Sequence, residues 1–306
     1  MSRFFGLMLV LFLVSSCLEL DKDKNLGGLP PAPAPELNPP AGGTTKPEGC
    51  VPADDVNTAS IIGGRRVYPN DIDSKAALFI IAVAPNEDGK SQSQICTATP
   101  ISDRVLITAA HCVKDATSVT AYFHTDFTCE SGFKAKTHGV NVLKYAVHPK
   151  YDNDKIFSSN PDVALILLDE RIFSGYPIYP LFSKKVASAT DFNSDLYLYG
   201  YGVIKYEDDS TKTKSSAGVL RNVVIDYSNL SIDEKSVKIA NNSKHGVCSG
   251  DSGGSGLILV DGRYQILAIN SYGKGSQNDP CSGTGSLILV EPYLDWFETV
   301  QRGWSQ

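Results

Sequence analysis

An all-β fold, a barrel or a sandwich, is predicted by three features of this 306-residue chain. Short runs rich in β-branched, aliphatic and aromatic residues recur along it, and Gly, Pro, Asn and Asp clusters fall between them. No long 3.6-residue period appears before Tyr293. Strands at short intervals without intervening helices exclude the alternating pattern of Rossmann and TIM folds.

In chain order, strands are predicted at Ala77–Val83, Arg104–Ile107, Val163–Leu168, Leu196–Tyr201, Val223–Ile225, Leu257–Val260 and Leu287–Val290. The segment Tyr293–Val300 predicts a terminal helix, and no internal repeat is present. The chain is 42% hydrophobic, which supplies a core and excludes disorder as a whole. Its 28 Lys and Arg against 34 Asp and Glu give a net charge of −6, with the basic residues scattered, so no nucleic-acid footprint is expected. The only long apolar run is at the N-terminus, which excludes a polytopic membrane protein.

That run, Phe4 to Val14 behind Arg3, predicts a signal peptide over residues 1–16. Ser15 and Ser16 directly before Cys17 look like a bacterial lipobox, whose cysteine receives a lipid; an ordinary signal peptide with an incidental cysteine is the alternative. Without Cys17 the chain keeps six cysteines, an even set that an oxidising compartment can close. From about residue 21 to 54 the composition turns Pro-rich, as in Leu29-Pro30-Pro31-Ala32-Pro33-Ala34-Pro35. Such a stretch makes an extended spacer rather than a core, or else a ligand for a proline-binding module. Residues 17–60 are accordingly expected to be a tether and propeptide.

Three segments carry chemistry: Leu106-Ile107-Thr108-Ala109-Ala110-His111-Cys112, Asn160-Pro161-Asp162-Val163-Ala164, and Cys248-Ser249-Gly250-Asp251-Ser252-Gly253-Gly254. A serine hydroxyl is a weak nucleophile near neutral pH and needs an adjacent base. An imidazole suits that role, and a buried carboxylate fixes its tautomer. Glycines beside the serine let backbone N–H groups approach a developing oxyanion.

In this order the segments resemble the chymotrypsin/trypsin family of serine proteases, over residues 61 to about 300. Further marks are Ile61-Ile62-Gly63-Gly64, Val147-His148-Pro149 with Tyr151, Gly200-Tyr201-Gly202 and Ser271-Tyr272-Gly273. The resemblance implies two six-stranded antiparallel β-barrels with the active site in the cleft between them, a short C-terminal helix, and a peptidase domain over 61–306. It implies His111 as general base, Asp162 as its orienting carboxylate and Ser252 as nucleophile. The amides of Gly250 and Ser252 would bind the oxyanion, Ser271 would hydrogen-bond Asp162, and Tyr272 and Gly273 would offer backbone to an extended peptide. Gly246, six residues before Ser252, would form the floor of the specificity pocket, with Gly273 and Gly285 as open walls and Val247 as apolar lining. No carboxylate stands at these positions, so Phe, Tyr, Leu or Met is expected at the cleaved position rather than Arg or Lys. His124, His138, His148 and His245 are expected to be structural or exposed, although His245 could line the pocket.

The family's spacing also implies disulfides Cys96–Cys112 and Cys248–Cys281; counting alone then leaves Cys50 with Cys129. The family's bridge between the Asp and Ser segments is missing, and Tyr201 and Tyr272 stand where tryptophans are usual. The expected activity is that of an exported serine endopeptidase made as a zymogen. Cleavage before Ile61 would place a new ammonium beside Asp251. Ser60, where many zymogens carry Arg or Lys, argues against a trypsin-like activator. Two alternatives stand beside this: a catalytically silent binding protein of the same fold, and a surface lipoprotein whose Pro-rich arm carries the function. The expected partners are a protein or peptide substrate and an activating protease, with no nucleic acid. The protein is expected to be a monomer with no cofactor and no metal. It would touch a membrane only through a lipid on Cys17, on the cell envelope (outer membrane or surface, since Leu18 is not the retaining aspartate), or else be secreted.

If Cys17 is lipidated, the protein partitions into detergent, and Cys17→Ser releases it or stalls its processing. Recovery of wild-type protein wholly in the aqueous phase, starting at another residue, would refute the anchor.

Overall fold

Six strands close on themselves in the first half of the chain: β2 (Leu78–Pro85), β3 (Ser91–Pro100), β4 (Val105–Thr108), β5 (Ser118–Tyr122), β6 (Gly139–Val147) and β7 (Ala164–Leu168). A two-residue strand, β1 (Arg65–Arg66), precedes them. Their order is β2-β3-β4-β7-β6-β5, all antiparallel, and the closure leaves no free edge. In this computed structural model the described residues are 61–305, without 62, 72, 87, 129–138, 156–159, 173–174, 204–216, 242–244 and 276–280.

Alternation along the strands explains why several of these runs are apolar throughout. Leu78, Ile80, Leu106, Ile166 and Leu168 fill the barrel interior. Their neighbours Phe79, Val105, Ile107, Leu165 and Leu167 point the other way, into a second core shared with the other half of the domain. Both faces are therefore buried, and the strands read as continuous apolar runs.

The second half is one eight-stranded antiparallel sheet. It adds β8 (Leu196–Gly200), β9 (Arg221–Ile225), β10 (Leu230–Ile232), β11 (Ser236–Asn241), β12 (Ser255–Val260), β13 (Arg263–Lys274) and β14 (Gly283–Leu289), in the order β1-β9-β8-β12-β13-β14-β11-β10. The expected all-β two-part architecture holds, with the second part an eight-stranded half-barrel sheet whose ladders do not close. A strand has only two edges to offer, and the outer edge of β9 is occupied by β1 through the pairs Arg65–Asn222 and Arg66–Arg221. No ladder joins β9 to β10, so hydrogen bonding does not close the ring.

Among the described residues two α-helices complete the domain, the single turn α1 (Ala110–Val113) and the terminal α2 (Leu294–Trp304). In α2, Phe297 is buried and Leu294, Trp296, Val300 and Trp304 pack on the shared core, the stripe that helical periodicity predicts. Among the described residues no helix is long and apolar enough to cross a membrane.

An aromatic cluster joins the two halves. Phe79 of β2 stacks on Phe127 at 4.3 Å, and the Tyr201 ring stands edge-on to them at 5.4 and 5.5 Å. Tyr201, which follows β8, is fully buried, and its hydroxyl donates to the His124 carbonyl at 2.8 Å. Aromatic pairs of this geometry add to the area they bury. Phe79→Ala should lower unfolding free energy by about 3–5 kcal/mol, read from the denaturant midpoint; a loss near zero would show that the cluster does not hold the halves together.

Candidate active site

His111 sits in the single turn α1, directly after β4. Ala109 and Ala110, both fully buried, let the chain turn tightly against the barrel, and the Cys96–Cys112 disulfide ties the turn to β3. Asp162 lies two residues before β7, where Pro161 and Val163 are buried around it. The Asp162 carboxylate is gripped from three sides. Its Oδ1 accepts the His111 backbone N–H at 2.9 Å. Its Oδ2 lies 2.8 Å from His111 Nδ1 and accepts the Ser271 hydroxyl at 2.5 Å. Burial pushes this carboxyl up, but the field and hydrogen bonds of His111, with the Ser271 bond, outweigh it and hold the group below its ordinary range.

Ser252 lies on the loop entering β12. Strand β3 pins that loop to the barrel: the Thr97 amide donates to the Ser252 carbonyl at 2.8 Å, and the Thr97 hydroxyl donates to the Gly250 carbonyl at 2.8 Å. Gly250 has φ +97°, a conformation that glycine adopts without strain. The amides of Gly250 and Ser252 donate to no group among the described residues. The Ser252 hydroxyl donates to the Ser271 carbonyl at 3.4 Å and makes no hydrogen bond to His111, whose Nε2 lies 3.7 Å from Cys112 Sγ. In ligand-free sites such bonds are often long and tighten only with substrate.

Asp251 is fully buried beside Ser252. Its Oδ1 accepts the Gly202 amide at 2.8 Å and its Oδ2 the Cys248 amide at 2.9 Å. A Cβ on Gly202 would stand 2.5 Å from the Asp251 Cγ, so only glycine allows this approach. Burial pushes the Asp251 carboxyl up to about 7, against those two amides and the field of Arg221. Ile61 is buried in the apolar interior that also holds Val247 and Leu198; it makes no hydrogen bond to Asp251 in the uncleaved chain.

A cavity of about 220 Å³ opens beside Ser252, lined by Val247, Cys248, Ser249, Ser271, Tyr272, Gly273 and Cys281, with Asn270 behind them. Gly246 and Gly285 do not line it. The buried Asn241 side chain fills the space beyond: a Cβ on Gly246 would meet its Cγ at 2.8 Å, and one on Gly285 its Oδ1 at 2.8 Å. Asn241 is fully engaged, accepting the Val247 amide and donating to the Val247 and Cys281 carbonyls at 3.0 and 3.1 Å. The Cys248–Cys281 disulfide closes the adjoining wall. A second cavity, of about 300 Å³, is lined by His111, Asp162, Tyr151 and Tyr272. His245 lines neither cavity. Cys17, Cys50 and Cys129 lie outside the described residues.

Sequence reasoning missed Thr97 and Asn241. Thr97 stands in a strand whose first half, Ser91-Gln92-Ser93-Gln94, is polar and exposed, and Asn241 stands beside Asn242 in a run with no motif.

A buried carboxylate–imidazole pair beside a serine with two free amides is the constellation of a serine hydrolase. The sequence profile of the trypsin family matches residues 61–297, and the chain belongs to that family. It is 29% identical over 225 residues to the CLIP domain-containing serine protease B15 of Anopheles gambiae, covering 67% of this chain and 61% of that protein. It is 26% identical to the serine protease Hayan of Drosophila melanogaster, over 79% of this chain and 39% of the relative. The chain thus spans less than two thirds of the length of both. Human chymotrypsin-like elastase family member 1 is 24% identical, with 92% of its length covered. A solved structure of HL collagenase superposes with a TM-score of 0.56 at 20% identity, covering 79% of this chain and 98% of that one, a likeness of fold.

Asp251 has a measurable signature. With its native pKa near 7, above the ordinary 3.8, the folded chain holds the extra proton between those values. Its stability contribution is therefore fully present below about pH 4 and is lost as pH rises through about 7. In the uncleaved protein, Asp251→Asn should gain stability relative to wild type as pH is raised across this window, measured by urea midpoints. A difference that does not change with pH would contradict the buried, unpaired carboxylate.

Proposed function

We propose that this protein is a serine endopeptidase, exported and made as a zymogen that is activated by cleavage before Ile61. The observation that carries the reading is the doubly gripped Asp162–His111 pair beside a serine loop with two undonated amides. In this mechanism Ser252 Oγ exchanges its bond to the Ser271 carbonyl for one to His111 Nε2. It then attacks the peptide carbonyl while His111 takes its proton. Asp162 stabilises the imidazolium that forms, and the Gly250 and Ser252 amides receive the developing oxyanion. Collapse breaks the C–N bond, and His111 returns the proton to the leaving amine. Water then repeats the sequence on the acyl-enzyme.

Activation has a physical rationale in two groups. Asp251 is a buried carboxyl with amide donors but no bonded cation, and a new ammonium would supply one. Ile61, β-branched, is held at φ +41°, a strained region, and cleavage of the preceding bond removes that torsion altogether. Export is supported by the N-terminal apolar run and by the two disulfides, which persist in oxidising compartments.

The substrate is a protein or peptide. Because Asn241 closes the pocket behind Val247, we place Ala, Val and Leu at the cleaved position ahead of Phe and Tyr, where the sequence alone set Phe, Tyr, Leu and Met side by side. A buried Arg or Lys side chain would lose hydration with no carboxylate among the described lining residues to meet it.

Protein trimmed to Ile61 should label with a fluorophosphonate at Ser252, and Ser252→Ala should not. Asp162→Asn should lower kcat by about 10⁴, the cost of that exchange in the chymotrypsin template. Absence of labelling in the trimmed wild-type protein would overturn the peptidase reading in favour of a silent binder. On paired peptides differing only at the cleaved position, kcat/KM should favour Val or Leu over Arg; a tenfold preference for Arg or Lys would overturn the pocket assignment.

A further inference from the structure

Every carbonyl from Ser249 to Ser252, the run that ends on the nucleophile, accepts a hydrogen bond. The Val203 amide donates to Ser249 at 2.8 Å, and the Thr97 amide donates to Ser252 at 2.8 Å. Asp251 receives the Gly254 amide at 3.0 Å and Asn270 Nδ2 at 3.2 Å. Each of these three carbonyls has a backbone donor. The Gly250 carbonyl does not. Gly250 is buried, and the one donor to its carbonyl among the described residues is the Thr97 hydroxyl, at 2.8 Å.

Thr97 is committed to this bond. It is fully buried, and its hydroxyl accepts the Tyr201 amide at 3.2 Å, which leaves its single proton for Gly250. A β-branched side chain is restricted at χ1, so the hydroxyl has little freedom to turn elsewhere. The Thr97 carbonyl accepts the Thr108 hydroxyl at 2.8 Å, and its partner across the ladder on β2 is Phe79. The loop lies directly against this strand: a Cβ on Gly253 would stand 2.2 Å from the Thr97 carbonyl oxygen. Gly250 itself brings no such restraint, because glycine takes φ of either sign with similar ease. Its φ of +97° is held by bonds to the carbonyls on either side of its Cα, from Val203 on Ser249 and from Thr97 on Gly250. Without the hydroxyl a buried carbonyl has no donor, a cost that turning the peptide relieves. The Gly250 amide then loses its fixed direction.

We propose that Thr97 is a positioning residue for the oxyanion donors: its hydroxyl holds the Gly250 peptide in place before the substrate carbonyl becomes tetrahedral. It touches no reacting atom and acts through Gly250. The role rests on the peptidase reading above. Donors fixed in advance stabilise the charge that develops in the transition state more than the uncharged ground state. Loss of the hydroxyl therefore lowers kcat and leaves KM unchanged.

The test uses the full chain cut before Ile61 through an engineered site for a sequence-specific protease, acting on a peptide amide with Val at the cleaved position. Thr97→Val keeps the shape of the side chain but not its hydroxyl. It should lower kcat about 10- to 100-fold, short of the roughly 10²–10³ that deleting an oxyanion donor costs, with KM unchanged within about twofold. Thr97→Ser keeps the hydroxyl and should stay within about threefold of wild type. A peptidyl trifluoromethyl ketone, whose adduct with Ser252 carries an oxyanion, should bind Thr97→Val at least tenfold more weakly than wild type. The matching peptidyl alcohol forms no adduct and should bind both equally. Should Thr97→Val fail to fold, Thr97→Ala against Thr97→Ser makes the same comparison, with at least tenfold in kcat expected between them. Unaltered kcat in folded Thr97→Val, equal losses in the variants with and without the hydroxyl, or a rise in KM that accounts for the whole loss would overturn the role of Thr97 alone. Absence of turnover in the cut wild-type chain would overturn the peptidase reading and this role with it.

Discussion

The Asp162 carboxylate is the constraint on which the rest of the site depends. A carboxylate this deeply buried is tolerated only if its oxygens are bonded and its charge is met. The donors that meet it come from both halves of the domain: His111, by backbone and ring, from the turn after β4, and Ser271 from β13. The orientation of the imidazole is therefore not a local property of α1, a single turn that could not hold it alone. It follows from the barrel and the sheet being in register, and Thr97 fixes that register a second time by bonding the Ser252 loop from β3. Phe79, Phe127 and Tyr201 supply the apolar part of the same joint.

A second buried carboxylate has the opposite character. Burial raises both, but at Asp162 an imidazole and a hydroxyl outweigh it and hold the group low, whereas burial pushes Asp251 up against only two backbone amides and the field of Arg221. Groups whose environments drive their pKa values apart have different work to do. Asp162 is already complete, so it can serve as a fixed orienting charge. Asp251 is incomplete, and the neighbouring glycines 200 and 202 keep its surroundings clear of side chains. Such a group responds strongly to any positive charge brought within reach, which is why it suits a switch rather than a scaffold.

What could be read from the sequence follows from burial. Strands buried on both faces, such as β4 and β7, are continuous apolar runs and were predicted almost to the residue. Strands with a wet face, such as β3 and β6, mix polar and apolar residues and were not predicted, although β3 carries Thr97. His111, Asp162 and Ser252 could be found because small and apolar neighbours surround each in a distinctive order. Closure of the second sheet could not, since it depends on which strand reaches the outer edge of β9. Nor could the depth of the pocket: Gly246 and Gly285 suggest open space, and only the fold brings Asn241 behind both.

Asn241 also bears on how a substrate could be selected. A cavity of about 220 Å³ with no charged residue among its described lining would take one modest apolar side chain, a gain of about 1.5–3 kcal/mol. That separates apolar from charged residues but discriminates weakly among apolar ones, because each methylene is worth only about 0.8 kcal/mol. A peptidase with such a pocket would cleave many sequences unless recognition were spread over other surfaces. Within the domain the candidates are the exposed backbone at Tyr272–Gly273 and the cavity beside Tyr151.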